Sequence, residues 1–438
     1  MKQVREGYKM TELGEIPVEW EVKSIDDIFN VMGGVPLPRS KTGSGDIYYL
    51  HYGDIHKLPN SKVDIELDKS WLPLIDGKSN ELRQEAFLED GDVVFADASE
   101  DYLDIGKNVV VCNNTSHEFI AGLHTIIARE KKDRLVSGYK RFCFKTEKVR
   151  KQLAMLATGS TVLGISKANI VKVKFLVPSL PEQQKIAEIL SAVDAQIEIT
   201  EQLIEKTKEL KKGLMQQLLT KGIGHTEFKQ SELGEIPVDW EIYRFGELLS
   251  FVGSGVTPRG GREVYQEYGV IFIRSQNVYS EGLKLDDVAY ISEDINKKMR
   301  RTSVFSNDVL LNITGASIGR CAVVPKKFPP ANVNQHVCIL RVKNEISSKY
   351  LQSFVISNYG QNQIFKQQLG QTREGLNFEQ VRNMIIPLPP IEEQQKIAAI
   401  LSSVDDQIES YEQEKEKYLQ LKKGLMQQLL TGKMRVTV

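Results

Sequence analysis

A short polar segment in the second half of the chain contains side chains that can read DNA bases. Arg274, Gln276 and Asn277 come directly after the apolar run VIFI. In the major groove, a guanidinium can donate two hydrogen bonds to guanine, and a Gln or Asn amide can pair with adenine. These residue types, placed after a strand-like run, therefore indicate recognition of base edges.

Other basic and polar residues are predicted to contact the same ligand. In the second half they are Arg259, Arg262, Arg300, Arg301, Arg320, Gln335, Gln371, Thr372 and Arg373. In the first half they are Arg39, Lys41, His56, Lys57 and Lys167. Taken singly, each is more often a solvated surface residue, but several in one basic segment favour a shared DNA face. For His124 and His336, which have similar neighbours, both a structural and a base-reading role stay open.

The charge balance differs between the two halves. Residues 241–390 contain 18 Lys and Arg against 13 Asp and Glu, whereas residues 21–180 contain 22 of each. The net charge of the whole chain is −1, which is unusual for a protein that binds DNA alone. No apolar run approaches the ~20 residues of a membrane span, and the start MKQVREGYKM lacks a secretory signal. We therefore expect a cytoplasmic protein without membrane contact.

No segment carries a recognisable catalytic motif. The sequence has no GxxxxGKS/T phosphate loop, no GxGxxG that follows a strand and opens a helix, and no HExxH pair. Asp97, Glu100, Asp101 and Asp104 cluster, but such clusters are more often solvated loops than metal sites. The four cysteines form no CxxC pair, which disfavours zinc and disulfides. We therefore expect no catalytic centre, cofactor or metal site in this chain.

An internal repeat organises the chain. KMTELGEIPVEW, from Lys9, returns as KQSELGEIPVDW from Lys229, and EQQKIAEILSAVDAQIE, from Glu182, returns as EQQKIAAILSSVDDQIE from Glu393. LKKGLMQQLLT occurs twice without change. The tail GKMRVTV followed by the start MKQVREGYKM resembles the linker GIGHTEFKQ between the halves, so the chain is nearly circularly repeated. The segments between these blocks diverge. Two copies of one framework that carry two different specificities explain this pattern.

The repeated blocks near the end of each half predict two long helices. Mostly apolar residues recur at alternating spacings of four and three from Ile186 to Thr207 and from Ile397 to Tyr418. Lys415 is the one charged residue in these two series. This is the a/d seam of a coiled coil. In the divergent segments, apolar runs such as DIYYLHY, DVVFADA and KNVVVC have counterparts VIFIRS, DVLLNI and CAVVP, and these predict strands.

The predicted fold class is α+β, with two mixed α/β recognition domains joined by long antiparallel coiled-coil helices in a pseudo-two-fold repeat. The predicted boundaries are residues 1–180 for the first domain, 181–221 for the first helix, 222–390 for the linker and second domain, 391–431 for the second helix, and 432–438 for a C-terminal tail.

Several of these motifs resemble the specificity subunits of type I restriction–modification systems. The similar segments are ELGEIPVEW and ELGEIPVDW, then DVLLNITGASIGRCAVVP and VNQHVCILRV in the second half, and finally PLPPIEEQQKIAAIL and LPEQQKIAEIL. The first half departs from the family pattern at FADASEDYLDIGK and AGLHTI, so the resemblance covers its domain better than its individual DNA contacts.

The resemblance implies a DNA-recognition role without catalysis. Each domain would read one half of a bipartite, asymmetric target in double-stranded DNA. The partners would be two methyltransferase subunits, which bind S-adenosylmethionine and flip out adenine, and restriction/translocase subunits that join through the methyltransferase core. Helix residues expected to bind the partners are Ile186, Leu190, Leu214, Leu218, Ile397, Leu401, Leu425 and Leu429.

Two other interpretations stay open at this stage. One is a self-contained restriction–methylation protein fused to a recognition module, although the chain lacks the corresponding motifs. The other is a coiled-coil scaffold without DNA binding, which the basic surplus of the second half disfavours.

Overall fold

The computed structural model describes residues 4–58, 61–76, 82–115, 117–368 and 375–437, without the side chains of Lys41 and Arg262. The chain divides into two compact units. Unit 1 consists of Met1–Thr200 and Glu414–Val438, and unit 2 consists of Glu201–Gln413. Each unit thus contains one divergent segment and a part of each long helix.

In unit 1, fourteen strands and seven helices begin. The strands are β1 (Tyr8–Thr11), β2 (Gly14–Pro17), β3 (Glu21–Ser24), β4 (Phe29–Gly33), β5 (Ile47–Leu50), β6 (Lys62–Asp64), β7 (Leu74–Ile75), β8 (Val93–Ala96), β9 (Ala98–Ser99), β10 (Asn108–Cys112), β11 (Phe119–Ala121), β12 (Thr125–Glu130), β13 (Leu163–Gly164) and β14 (Lys174–Val177). The helices are α1 (Ile25–Ile28), α2 (Tyr52–Lys57), α3 (Ile65–Asp68), α4 (Ser137–Cys143), α5 (Glu147–Leu156), α6 (Lys167–Ile170) and α7 (Leu180–Leu218). These counts cover only the residues described above.

Unit 2 repeats this plan with small changes. Its strands are β15 (Phe228–Ser231), β16 (Gly234–Pro237), β17 (Glu241–Arg244), β18 (Leu249–Ser254), β19 (Val270–Ile273), β20 (Val278–Tyr279), β21 (Gly282–Leu283), β22 (Ala289–Ile291), β23 (Val309–Asn312), β24 (Cys321–Val323), β25 (Ala331–Val333), β26 (Val337–Val342) and β27 (Ile385–Leu388). Its helices are α8 (Phe245–Leu248), α9 (Glu293–Lys298), α10 (Ser348–Ile356), α11 (Asn358–Gln368), α12 (Phe378–Asn383) and α13 (Ile391–Leu429). All six apolar runs predicted to be strands are confirmed, as β5, β8, β10, β19, β23 and β24.

The main sheets of the two units have related strand orders. In unit 1 the order is β4-β12-β8-β10-β6, and a second sheet has the order β11-β5-β7. In unit 2 the orders are β18-β26-β23-β24 and β22-β19-β25. The pairs β11–β5 and β25–β19 are both parallel, whereas the central pairs β12–β8 and β26–β23 are antiparallel. The divergent segments therefore share one topology.

Each main sheet is covered on both faces, which explains why its central strand is a continuous apolar run. In β8, Val93 and Phe95 belong to one hydrophobic cluster, and Val94 and Ala96 belong to another. In β23, alternate residues likewise divide between two clusters. Alternation follows from the two-residue period of a strand.

In each unit a buried ion pair joins one strand of the main sheet to the residue directly before the neighbouring strand. In unit 1 the Arg129 guanidinium donates from Nε and Nη2 to the carboxylate of Asp92, at 3.1 and 2.7 Å. In unit 2 Arg341 donates in the same way to Asp308, at 2.8 Å for both bonds. Both aspartates are almost fully buried, so these two-pronged pairs fix the sheet frame.

The helices α7 and α13 confirm the coiled-coil pattern. Each has 39 residues. The residues at their seam positions are buried or half-buried, and Lys415, the one charged residue of the seam, is half-buried. Both helices end two or three residues before the predicted positions, and the residues that follow, Leu219 and Leu430, are buried in the cores of unit 2 and unit 1.

The two helices run antiparallel where they pack together. In unit 2, Lys208 lies 3.4 Å from Glu412, and Lys211 lies 2.5 Å from Asp405. Residue numbers therefore rise on α7 while they fall on α13. In unit 1 the equivalent pair is Lys422 with Asp194.

In each unit a tryptophan and one further side chain contact the carboxylate of a glutamate at the start of a long helix. We call this group of three residues the tryptophan clamp. In unit 1, Trp20 Nε1 donates to Glu182 at 3.0 Å, and Arg435 Nε donates to the same carboxylate at 2.7 Å. In unit 2, Trp240 Nε1 donates to Glu393 at 3.2 Å, and His225 Nε2 lies 2.9 Å from that carboxylate. The C-terminal tail therefore contributes the side chain that contacts the glutamate in unit 1, and the linker contributes it in unit 2.

Candidate nucleic-acid interface

In unit 2 the ends of several strands meet at one edge, held by three backbone hydrogen bonds. Asn334 N–H donates to Ile273, Ile313 N–H donates to His336, and Leu376 N–H donates to Ile313. These bonds join the loops that follow β19 and β23, the turn between β25 and β26, and the segment before α12. We call this group of loops the loop edge of unit 2.

Unit 1 has a loop edge built by three equivalent bonds. Gly122 N–H donates to Leu50, Asp97 N–H donates to His124, and Ile165 N–H donates to Asp97. They join the loops after β5 and β8, the turn between β11 and β12, and the segment before α6. The two divergent segments therefore present the same set of loops, although their residues differ.

The loop after β19 places Arg274 and Gln276 on the loop edge of unit 2. Gln276 Nε2 donates to Asp287 Oδ2 at 3.0 Å, and the Arg274 guanidinium lies 3.9 Å from the same carboxylate. Asn277, by contrast, is buried, and its amide donates to the carbonyls of Lys284 and Asp287. The prediction that Asn277 contacts a base is therefore wrong, because its amide holds the loop together.

Three further predicted residues of unit 2 are exposed, two of them on the loop edge. Arg320 ends the turn after β23, with its guanidinium 4.9 Å from the centre of the Tyr279 ring. Gln335 lies in the β25–β26 turn, and its carbonyl accepts from Thr257 N–H at 3.4 Å. Arg259 lies in the loop before β19. All three have side chains that water reaches, as contact with DNA requires.

Arg300 and Arg301 are exposed on a 3-10 turn that follows α9. Thr302, the last residue of this turn, donates to Asn332 of β25 at 2.8 Å. The turn is thereby fixed to the strand that leads into the loop edge. Four other residues were predicted to contact DNA but lie outside the described part of the chain. They are Arg262, for its side chain only, and Gln371, Thr372 and Arg373.

In unit 1, Arg39 and the two predicted residues of α2 occupy different environments. Arg39 Nη1 donates to the buried carboxylate of Asp54 at 2.8 Å. His56 Nε2 lies 2.9 Å from the carbonyl of Ala98, so this ring fixes the start of the loop after β8. Lys57 is exposed at the end of α2.

Lys167 begins α6 and is exposed beside Gly33, at the end of β4. The side chain of Lys41 lies outside the described residues. On the same edge His124 Nδ1 lies 3.1 Å from Asp97 Oδ1. Burial raises the pKa of the Asp97 carboxyl, and the neighbouring His124 opposes this shift.

The eight helix residues predicted to bind partners lie mainly inside the chain's own packing. The buried residues of the set are Ile186, Leu190, Leu218, Ile397, Leu401 and Leu429. Leu214 and Leu425 are half-buried and pack against the same cores. The prediction is therefore wrong for the six buried residues, because their side chains join the helices to the sheets of each unit.

Neither a metal site nor a membrane helix is found in the part of the chain that the structure describes. There, no group of three or more His, Cys, Asp and Glu side chains is arranged to hold a metal ion. Within the same residues, none of the helices combines the length and apolar composition of a membrane span.

Comparison with known protein families identifies the type of domain that each half of the chain contains. The sequence model of the type I restriction modification DNA specificity domain matches residues 17–209 and 237–420. The two matches correspond to the two copies of the internal repeat, and together they cover most of the chain.

Two specificity subunits of Methanocaldococcus jannaschii are similar in sequence. The putative MjaX type I restriction enzyme specificity subunit is 29% identical over 442 residues, which cover 98% of this chain and 97% of that relative. The MjaVIII specificity subunit is 31% identical over 318 residues, which cover 71% of this chain and 74% of the relative.

Two solved structures share the fold. The S subunit of a type I restriction–modification system from M. genitalium has a TM-score of 0.57 at 15% identity, covering 95% of this chain and 97% of that one. A chain from a study of the assembly of a type I system has a TM-score of 0.55 at 16% identity, covering 96% and 99%. Because the family model matches both halves of the chain, the chain belongs to the family of type I restriction–modification specificity subunits, whose role is to specify the DNA sequence rather than to catalyse a reaction.

Proposed function

We propose that the chain reads an asymmetric, two-part sequence in double-stranded DNA on behalf of partner methyltransferase subunits. Each loop edge would read one half of the target. The observation that carries this proposal is the repetition of the loop edge. Three equivalent backbone hydrogen bonds build it in both units, while its side chains differ in type.

The difference in side chains accounts for an asymmetric target. The loop edge of unit 2 presents Arg274 and Arg320, which suit guanine and phosphate oxygens. The loop edge of unit 1 presents His124 and the carboxylate of Asp97 at the equivalent turns. Two edges with different donors and acceptors select different bases, so the two half-sites are expected to differ.

The chemistry would belong to the partners. S-adenosylmethionine would be bound by two methyltransferase subunits, and these would extrude the target adenine from the duplex. Restriction/translocase subunits would join through the methyltransferase core. We also infer a cytoplasmic location, because the four cysteines are free thiols, which a reducing compartment maintains.

Two equivalent leucines support the docking of two methyltransferase subunits. Leu210 on α7 and Leu421 on α13 occupy the same position of the repeated block LKKGLMQQLLT. They are 56% and 48% exposed, although they are large and apolar. The repeat thus places one of these exposed leucines in each copy, where each would contact one methyltransferase subunit.

The proposal is tested by reconstitution. The chain is purified with and without methyltransferase subunits and given S-adenosylmethionine and a library of random duplexes. Methylation is expected only in the complex, at duplexes that share two different fixed half-sites and a gap of free sequence. Methyl transfer by the chain alone, or a single continuous recognition sequence, would contradict the proposal.

A further inference from the structure

The loop edge of unit 1 carries a carboxylate–imidazole pair that is held in place from both sides. His124 Nδ1 lies 3.1 Å from Asp97 Oδ1, and the backbone N–H of Asp97 donates to the carbonyl of His124 at 3.0 Å. These two contacts fix the pair as one unit. The side chains of Asp97 and His124 are nevertheless 29% and 49% exposed, so an external ligand can reach both.

The backbone of His124 is in an unfavourable conformation. Its φ is +58°, in the left-handed region that favours glycine. A residue other than glycine in such a conformation is strained and persists where its surroundings hold it. Here the Tyr52 ring meets the imidazole edge-on, with ring centres 5.3 Å apart. Such strain in a fixed, exposed side chain is typical of ligand contacts.

The equivalent position in unit 2 holds a histidine with a different partner. His336 Nδ1 lies 2.5 Å from the hydroxyl of Thr314. The residue equivalent to Asp97 is Ile313, which is buried. The histidine is thus common to both loop edges, whereas its partner is a carboxylate in one and a hydroxyl in the other. A change of this kind is what recognition of a different base requires.

The electrostatic setting of Asp97 points to the type of base. Among the described residues, no Lys or Arg forms an ion pair with Asp97, and no protein group donates to its second oxygen, Oδ2. DNA phosphates repel a carboxylate, so a carboxylate on this edge needs a donor on a base. In the major groove the donors are the N4 amine of cytosine and the N6 amine of adenine. Adenine places its N7 acceptor beside that amine, where it repels a carboxylate, so the N4 amine of cytosine suits Asp97 best.

We propose that Asp97 is a specificity-determining residue that accepts a hydrogen bond from the N4 amine of a cytosine in the half-site of unit 1. His124 is the positioning residue that holds this carboxylate toward the groove. The inference rests on the proposed function, since it requires the loop edge of unit 1 to face DNA bases.

The test compares Asp97→Asn with a matched control, Asp104→Asn, in complexes with methyltransferase subunits. Asp104 lies nearby in the chain, between β9 and β10, with its carboxylate 3.9 Å from His56 and 46% exposed. Each complex methylates a library randomised over both half-sites, and the methylated sequences are read. Asp97→Asn should lower the preference for cytosine over the other bases at one position by on the order of tenfold, and leave the second half-site unchanged. Asp104→Asn should leave the base preference at every position as it is in the wild-type complex, because any effect on methylation should be the same for all sequences.

A second variant keeps the test valid if Asp97→Asn fails to fold. His124→Asn tolerates the left-handed backbone and should relax the same base position as Asp97→Asn, with the thermal midpoint of the wild-type chain. An unchanged base preference in both variants, or a uniform loss across the library, would overturn the role of Asp97. If the wild-type complex itself selects no pair of half-sites, the proposed function fails, and the two failures are therefore distinguishable.

Discussion

The tryptophan clamp of unit 1 leads to a quantitative prediction about the C-terminal tail. The carboxylate of Glu182 is 2% exposed and accepts from Trp20, Ser179 and Arg435. In Arg435→Ala the guanidinium is lost, and a buried negative charge is left with two neutral donors. Removing one partner of a buried ion pair costs about 3–5 kcal/mol. Because Arg435 itself is 38% exposed, water replaces part of the interaction, and we expect about 2 kcal/mol.

Hydrogen exchange measured by mass spectrometry reports this change locally. A loss of about 2 kcal/mol corresponds to roughly 30-fold faster exchange in peptides around Trp20. Peptides around Trp240, in unit 2, should keep their exchange rates. Lys433→Ala is the matched control, since Lys433 is exposed on the same tail, and it should leave both regions unchanged.

A double variant separates the effect of charge from the effect of packing. Glu182→Gln removes the charge that Arg435 neutralises, so Glu182→Gln with Arg435→Ala should exchange more slowly around Trp20 than Arg435→Ala alone. The reasoning would be refuted if Arg435→Ala left the exchange of these peptides unchanged, or if it accelerated exchange equally in both units.

Three other predictions concern spacing, base choice and pH. Inserting one heptad after Thr200 and one after Tyr411 preserves the seam and adds about 10 Å to each helix; the gap in the methylated sites should lengthen by about three base pairs, and an unchanged gap in an active complex would show that helix length does not set it. Arg274→Ala should relax one base of the second half-site at a cost of about 1–3 kcal/mol, whereas equal weakening of all sequences would make Arg274 a phosphate contact. Burial, with Lys422 nearby, lowers the pKa of Lys145 to about 7. The resulting destabilisation of the folded state is full below pH 7 and is lost as the pH rises from there toward the ordinary pKa that the lysine has in the unfolded state. Lys145→Met should therefore raise the stability of unit 1 by about 1–3 kcal/mol at pH 6 and by less at pH 9; urea unfolding that shows equal effects at both pH values would contradict this.

Local sequence patterns were sufficient to predict the framework of this protein. The heptad spacing from Ile186 to Thr207 depends only on helix geometry, and the seam of α7 is buried as predicted. Apolar runs such as DVLLNI predicted strands because a sheet covered on both faces needs continuous apolar residues. The sequence also showed the likeness between the C-terminal tail and the linker, and in the structure Arg435 of the tail and His225 of the linker contact equivalent glutamates.

Predictions about individual contacts were less successful, because those contacts join residues distant in sequence. An a/d seam shows that Ile186 and Leu190 face an apolar neighbour but not whether that neighbour is a partner protein, and here it is the core of unit 1. Likewise, Asn277 looked like a base reader because the residues that accept its amide protons, Lys284 and Asp287, lie beyond the motif. The pair of Asp97 and His124 spans 27 residues of sequence, and no local pattern connects its members.

An exchange of one divergent segment tests the central claim, that each unit reads its own half of the target. The segment between Trp240 and Pro390 is replaced by the corresponding segment of a related subunit, and the complex with methyltransferase subunits is expressed in cells. Genome-wide mapping of methylated adenines then gives the recognition sequence. The account predicts that the half-site assigned to unit 2 changes while the other half-site stays the same. A change in both half-sites, or in neither, would contradict it.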